Sequence, residues 1–378
     1  MLSDKLSRRS RSTLLTYAIV ILALMVIGTS YRHYDAQGTN MVHQEVLLPI
    51  EGQQSPETAI EVGLLIDNVY AFEADKKTFD ADGWIWLKWS QALHRKMLQV
   101  GASPDELFQF FNQVDDWDAT LTPGSDAPIP MADGRLYQKF RFSGHFYVNE
   151  LDFRLYPFQT LKLPLVVELT NEKLKGEGPA LGVTLDKVHS GLGDYVDLGG
   201  YQTRGHEFRA CLHEYKTSFG EPAATSGPRR LPQARMEIAY QKAPTAMWLK
   251  VLLPLITVMV LALFAPDISA SGWDVRLGIP PMAILTLMFL QQTYQTWMPE
   301  LPYITFLDTV YNLCYLANLV LFRLFLWGTN EYCAASEEDK PAVVARINRV
   351  DLYFQVGITA VIAFTIAANW FTLSRQIH

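Results

Sequence analysis

Four apolar spans crowd the last third of the chain, and they constrain its fold more than any other feature. They are 247 to 264 "MWLKVLLPLITVMVLALF", 272 to 297 "GWDVRLGIPPMAILTLMFLQQTYQTW", 303 to 327 "YITFLDTVYNLCYLANLVLFRLFLW" and 352 to 373 "LYFQVGITAVIAFTIAANWFTL". Each is of roughly the 17 to 25 residues that a membrane helix needs, which predicts helices at about 247–264, 277–296, 303–327 and 351–373 within a transmembrane segment 244–378. Short loops make the first three antiparallel neighbours. A hydrophilic loop, "GTNEYCAASEEDKPAVVARIN", precedes the last span and ends in Arg346 and Arg349.

The rest of the chain is of another kind. From 44 to 243, short runs rich in β-branched and aromatic residues, such as "GWIWLKW", "RLYQKFRFSGHFYV" and "ARMEIAYQ", are punctuated by "TPGSDAPIPMADG" and "KGEGPALG". This pattern predicts an antiparallel, Ig-like β-sandwich. Ahead of it, Lys5, Arg8, Arg9 and Arg11 lead into an apolar stretch from 14 to 31, so residues 1–35 read as a signal peptide or an extra N-terminal hydrophobic helix that anchors the chain. Either way the sandwich is exported, to the periplasm or the cell exterior. The loop before the last span then lies in the cytoplasm with Arg276, in keeping with the positive-inside rule, and the C-terminus faces out.

A 49% hydrophobic composition places part of the chain in lipid, and a net charge of −7 argues against a nucleic-acid partner. Cys211, Cys314 and Cys333 are too far apart for a disulfide framework or a zinc spacing. No glycine-rich phosphate loop, nucleophile elbow or metal-ligand pattern occurs, so neither an enzyme nor a cofactor nor a metal is expected. In "DDWDATLTPGSD", Asp115, Asp116, Asp118 and Asp126 lack the calcium-loop spacing.

An exported sandwich followed by four helices resembles the pentameric ligand-gated ion channels, the Cys-loop receptor superfamily, and in particular its bacterial branch. "LDFRLYPFQTLKL" at 151 to 163 is similar to the family's signature loop, with Tyr156, Pro157 and Phe158 as its core. "GWIWLKW" resembles its second strand, and Pro254 in "LLPL" matches the proline of its first membrane helix. "MPELPYITFLD" at 298 to 308 is similar to the linker into the third helix, and Arg276 to Leu285 to the pore helix. The resemblance implies coupling of sandwich to pore through Tyr156, Pro157, Phe158, Pro299 and Pro302. It also implies binding loops on which Tyr195, Tyr201, Tyr215 and Phe219 are the candidate ligand contacts. The departures are that the signature loop has no cysteines and lacks the acid expected after Phe158, and that "VVELTN" stands where the family carries an aromatic cage residue.

A pore also follows from the residues themselves. Asp274, Gly278, Met282, Leu285, Phe289, Gln292 and Thr296 recur at steps of three and four, hence on one helical face. Five copies around an axis would stack an acidic ring below apolar rings; such carboxylate rings favour cations, and apolar constrictions gate by dewetting. Pro280 and Pro281 interrupt this span. Without amide hydrogens they free the carbonyls of Arg276 and Leu277, which predicts regular helix only from about Pro280, with a hinge before it. Of the charges within the spans, Lys250 is expected to snorkel and Asp308 to be structural. His145, His189, His206 and His213 could lend pH sensitivity.

The expected protein is a homopentameric ligand- or pH-gated cation channel in the inner membrane. Its partners are its own copies, lipid, permeant ions and a small agonist or proton. A non-conducting pentameric receptor or assembly subunit is the alternative.

Overall fold

Alternation of apolar and polar side chains along extended segments dictates sheets with one face turned inward. The computed structural model describes residues 46–50, 55–114, 119–149, 151–170, 172–174, 181–217 and 229–377. The leader 1–35, Asp115, Asp116, Asp118 and Phe219 lie outside these residues. The chain forms two units: one of His43–Asp152 and Thr160–Ala243, the other of Pro244 onward together with Phe153–Gln159.

The first unit is sandwich-like. One sheet runs β1 (Val46–Leu48), β11 (Tyr201–Tyr215), β12 (Arg229–Lys242), β8 (Thr160–Leu169) and β4 (Phe108–Phe110), all antiparallel. The other runs β10 (Gly191–Tyr195), β2 (Ala59–Glu73), β3 (Thr78–Trp89), β7 (Leu136–Tyr147) and β5 (Thr120–Pro123), with β6 (Ile129–Pro130) on β7 and β9 (Gly182–Leu185) on β2. The expectation of a purely antiparallel sandwich needs one correction, because β9 and β10 both run parallel to β2. Both are edge additions of four or five residues that reach β2 by long connections rather than hairpins.

Inward positions follow the period of two: Ile60, Val62, Leu64 and Ile66 on β2, Phe140 and Phe142 on β7, Leu161, Leu163 and Leu165 on β8, and Met236 and Ile238 on β12 are all buried. Phenylalanines join the sheets, with Phe110 lying 4.8 Å from Phe142 and Phe108 5.6 Å from Phe140 between ring centroids. One helix, α1 (Gln91–Val100), was not apparent from the strand pattern. Ser90 caps its start by accepting from the Leu93 amide, and Gly101 ends it at φ 65°, a left-handed turn that glycine adopts freely.

A polar knot ties β9 to β2 and β3. The Trp86 indole lies across Gly63, where a Cβ would come within 2.0 Å of the ring. Its N–H donates to Asp186 at 3.1 Å; Lys88 Nζ is 2.6 Å from the same carboxylate and 2.8 Å from Glu61, and His189 Nδ1 is 2.8 Å from Asp186.

The helical unit begins with α2 (Pro244–Phe264), which widens to a π-helical turn at Trp248–Leu252, directly before Pro254. That proline cannot donate to the Lys250 carbonyl, so the ladder is perturbed there. Short 3₁₀ turns at Ala265–Asp267 and Ala270–Gly272 lead to α3 (Trp273–Gln295), followed by α4 (Phe306–Ala334) and α5 (Lys340–Ile377). These four helices are long and apolar enough to cross a membrane. α4 starts just inside the expected 303–327 and runs past its C-terminal end, and α5 runs past both ends of the expected 351–373, so that the loop expected between them shrinks to 335–339. The helices continue because hydrogen bonding of the backbone does not stop where the apolar residues do; 38 residues at 1.5 Å each make α5 about 57 Å long, well beyond a ~30 Å hydrocarbon core.

The predicted hinge is absent. α3 is helical without a break from Trp273 to Gln295, with Pro280 and Pro281 inside it. The two prolines remove their donors from a single turn, and the segment ahead of them is held by other means: Pro280 is buried, and the Arg276 side chain is anchored in the packed interior of the unit. Membrane helices tolerate proline where neighbouring helices bury the turn.

Burial alone would raise the Asp186 pKa, but hydrogen bonds from Lys88, His189 and Trp86 outweigh it and hold the carboxyl well below the usual carboxylate range. A depressed folded-state pKa contributes stability that is present above the unfolded value of about 3.9 and is lost as pH falls toward the folded one. Asp186→Asn should therefore lower stability at pH 7 by roughly 3 kcal/mol, with a gap to wild type that narrows below about pH 4. Thermal unfolding across pH checks this; a gap that does not change with pH would exclude the carboxylate as its source.

Candidate functional site

α3 has two faces. Arg276, Pro280, Ala283, Leu287 and Tyr294 are buried against the other helices. Asp274, Gly278, Met282, Leu285, Phe289, Gln292 and Thr296, the residues assigned to a pore by spacing, are all exposed in the single chain. Met282, Leu285 and Phe289 stand 71%, 55% and 61% exposed, a row of large apolar side chains that no part of the described chain covers. The exposed arc is wider than the stripe, since Val275 and Met288 share it. Gln291 is not part of it: its amide oxygen accepts from Tyr315 on α4 at 2.5 Å.

At the N-terminal end of α3, Arg276 is 3% exposed. Its Nη2 lies 2.5 Å from Asp351 Oδ2 on α5, and its guanidinium stands 4.4 Å over the Phe325 ring of α4. Arg276 is enclosed at this end of the helix, because a guanidinium with a buried carboxylate partner need not seek water. Beside this pair, Gln355 donates to the Leu263 carbonyl at 2.9 Å and to Asp267 at 3.0 Å.

At the other end, Phe153–Gln159 packs with the helices, although it joins β7 to β8 in sequence. The Phe306 amide at the start of α4 donates to the Arg154 carbonyl at 2.8 Å, and the Phe153 amide donates to the Tyr303 hydroxyl at 3.0 Å. Tyr156 is buried, precedes a cis Pro157, and stacks on Tyr294 of α3 at 6.1 Å; Tyr294 in turn stacks on Tyr311 of α4 at 5.2 Å. The Tyr294 hydroxyl donates to Asp308, whose carboxylate also accepts from the amide and hydroxyl of Thr305, the capping residue of α4. Asp308 is thus a structural cap, as expected. Phe158 meets Trp370 of α5 edge-on at 5.4 Å, and Trp370 meets Phe306 at 5.7 Å.

Of the expected coupling residues, Tyr156 and Phe158 are in this cluster; Pro299 is half-buried and Pro302 exposed in the turn before α4. Sequence reasoning missed Tyr294, Tyr303, Phe306 and Trp370, which carry no local signal beyond being aromatic at the ends of apolar spans. It missed Asp351 too, although a carboxylate at the border of such a span invites a search for its partner.

Among the described candidate ligand residues, Tyr201 and Tyr215 stand at opposite ends of β11 and do not share one cage. Tyr195 is 79% exposed. Tyr201 lies at one end of β11, beside Phe72 at 6.2 Å and under Lys242 at 5.2 Å, where burial pushes its phenol up to about 12 and the Lys242 amine down. Tyr215 lies at the other end, about 45 Å away at strand rise. There its hydroxyl donates to the buried Glu168 carboxylate at 2.8 Å, and its ring packs on His213 at 4.3 Å and Phe111 at 6.3 Å. Gln233 and Gln109 also donate to Glu168, at 2.8 and 3.1 Å. Among the expected titrating histidines, His145 pairs with Asp80 and His206 is exposed. No group of three or more His, Cys, Asp or Glu among the described residues could hold a metal ion.

Compared with protein-family models and with curated proteins, the chain matches none.

Two ring contacts through one side chain make Trp370 a simple probe of the loop cluster. Trp370→Ala should cost about 1–3 kcal/mol and speed hydrogen exchange of the 153–159 amides, whereas Trp370→Phe should largely preserve both. Unchanged exchange in the alanine variant would show that the loop does not depend on α5.

Proposed function

We propose that the chain is the subunit of a homopentameric cation channel of the pentameric ligand-gated type. α3 lines its pore, and an Ig-like sandwich on the periplasmic or extracellular side answers a small agonist or a proton. The observation that carries this reading is the second face of α3. A stripe from Asp274 through Leu285 to Gln292 and Thr296 stays exposed while the opposite face packs, and an aspartate and a glutamine are costly against lipid but at home around a water-filled axis. Asp274 is the stripe's charged residue, which favours cations, and Met282, Leu285 and Phe289 form the constriction that dewets when closed. The loop 153–159 couples to the pore through Tyr156 and Tyr294. In this reading the protein is an inner-membrane multi-pass protein with its C-terminus on the sandwich's side, and the Tyr215 region with Phe111, His213 and Glu168 is the best-supported ligand region.

A second reading, a non-conducting pentameric receptor, draws on the same three apolar side chains: stacked fivefold, they could close the axis permanently. Reconstitution into liposomes, with conductance recorded while external pH is stepped and small amines, amino acids and divalent ions are screened, separates the two. Five subunits by native mass and a current whose cation preference falls or reverses in Asp274→Lys are expected. Another subunit number would remove the channel reading. A current with unchanged reversal potential in that variant would move the filter elsewhere, and a silent pentamer would favour the receptor.

A further inference from the structure

We infer that Asp351 on α5 sets ion selectivity by acting through Arg276, a proposal that rests on the channel reading. Asp274 and Arg276 are two residues apart on α3, so they project about 200° apart around it. The acid is on the exposed stripe; the base is 3% exposed on the opposite face. Charges that close along the chain, of opposite sign and repeated around a ring, would largely cancel at the pore mouth if both were uncompensated, since the field of a buried charge is weakly screened. Here the guanidinium is compensated where it sits: Asp351 Oδ2 is 2.5 Å from Arg276 Nη2, both side chains are 4% exposed, and Phe325 covers the guanidinium at 4.4 Å. Asp267, from the turn between α2 and α3, is a further carboxylate near this end; it is exposed and accepts from Gln355.

Asp351 is therefore a positioning residue, distant from the permeating ion. It holds Arg276 on the packed side and cancels its charge, so that the mouth presents Asp274. An ion pair retained for mere stability is weak evidence of function, because buried pairs often contribute little net stability. The sign of the effect separates the two roles. A structural clasp broken from either side damages the protein in the same direction. A charge-cancelling partner predicts opposite effects on selectivity from the two single neutralisations and restoration by the double.

The test is the cation-to-anion permeability ratio of the reconstituted full chain in asymmetric salt, with pentamer formation checked by native mass. Asp351→Asn leaves a ring of buried guanidiniums uncompensated and should lower the ratio about threefold or more. Arg276→Gln should leave it at or above wild type, and Arg276→Gln with Asp351→Asn should return it to the wild-type value. If the wild type is cation-selective but Asp351→Asn leaves the ratio unchanged, or both single variants lower it alike, this proposal is overturned and the channel reading stands. A wild type that carries no current overturns both. Should Asp351→Asn fail to assemble, the double variant, which buries no lone charge, decides: a wild-type ratio supports the proposal and a lowered one contradicts it.

Discussion

Lipid offers no hydrogen-bond partners, so each polar group in a membrane-spanning unit must find one inside the protein or face water. Many side chains of the helical unit follow this rule, although Arg276 Nε, Asn318 Oδ1 and Asp351 Oδ1 are buried without a hydrogen bond. Arg276 has Asp351, Tyr294 has Asp308, Gln291 has Tyr315, and the Asn318 amide donates to the Cys314 carbonyl at 2.9 Å. Thr286 and Thr293 donate to carbonyls one turn back on their own helix. The side chains left exposed on α3 include Asp274 and Gln292, and they fall on one line with Met282, Leu285 and Phe289. Most of what is proposed about function follows from that remainder.

The same rule organises the two ends of α3. One end is fixed by a charge pair reaching across to α5, the other by a column of tyrosines that runs from the loop 153–159 through Tyr294 to Tyr311. A helix anchored at both ends by polar and aromatic contacts can carry two adjacent prolines without breaking, because the contacts are not made by the hydrogen bonds the prolines remove. The anchors also give α3 a defined rotation about its own axis, without which an exposed stripe would mean little.

What could be read from the sequence was what repeats. Apolar runs of membrane length and the period-two alternation in β2, β3 and β7 are local signals, and they located the four helices and most of the strands. The stripe on α3 was legible for the same reason, being a matter of spacing. α1 was hidden because its buried residues Leu93 and Met97 form a single i,i+4 step of pattern, though Ser90 and Gly101 are start and stop signals in plain sight. The double proline misled because local rules describe a helix without neighbours, and here Arg276 and Asp351 are 75 positions apart. Tyr156, Tyr294 and Trp370 likewise meet only in three dimensions, so no spacing announces them. The three candidate ligand tyrosines were chosen by loop, and β11 alone separates two of them by its full length.

In a pore lined by α3, the exposed stripe faces other copies of the chain around an axis. Thiol cross-linking distinguishes this arrangement from a stripe that faces lipid. With Cys211, Cys314 and Cys333 replaced by serine, a cysteine is placed either at Leu285, on the stripe, or at Leu287, which is fully buried within the chain. A short bifunctional thiol reagent applied to the membrane-embedded protein should join the copies that carry cysteine at 285 into a ladder of covalent oligomers up to five. It should leave the 287 variant monomeric on a denaturing gel. Cross-links at 287 and none at 285 would mean that the stripe faces lipid and that α3 lines no pore.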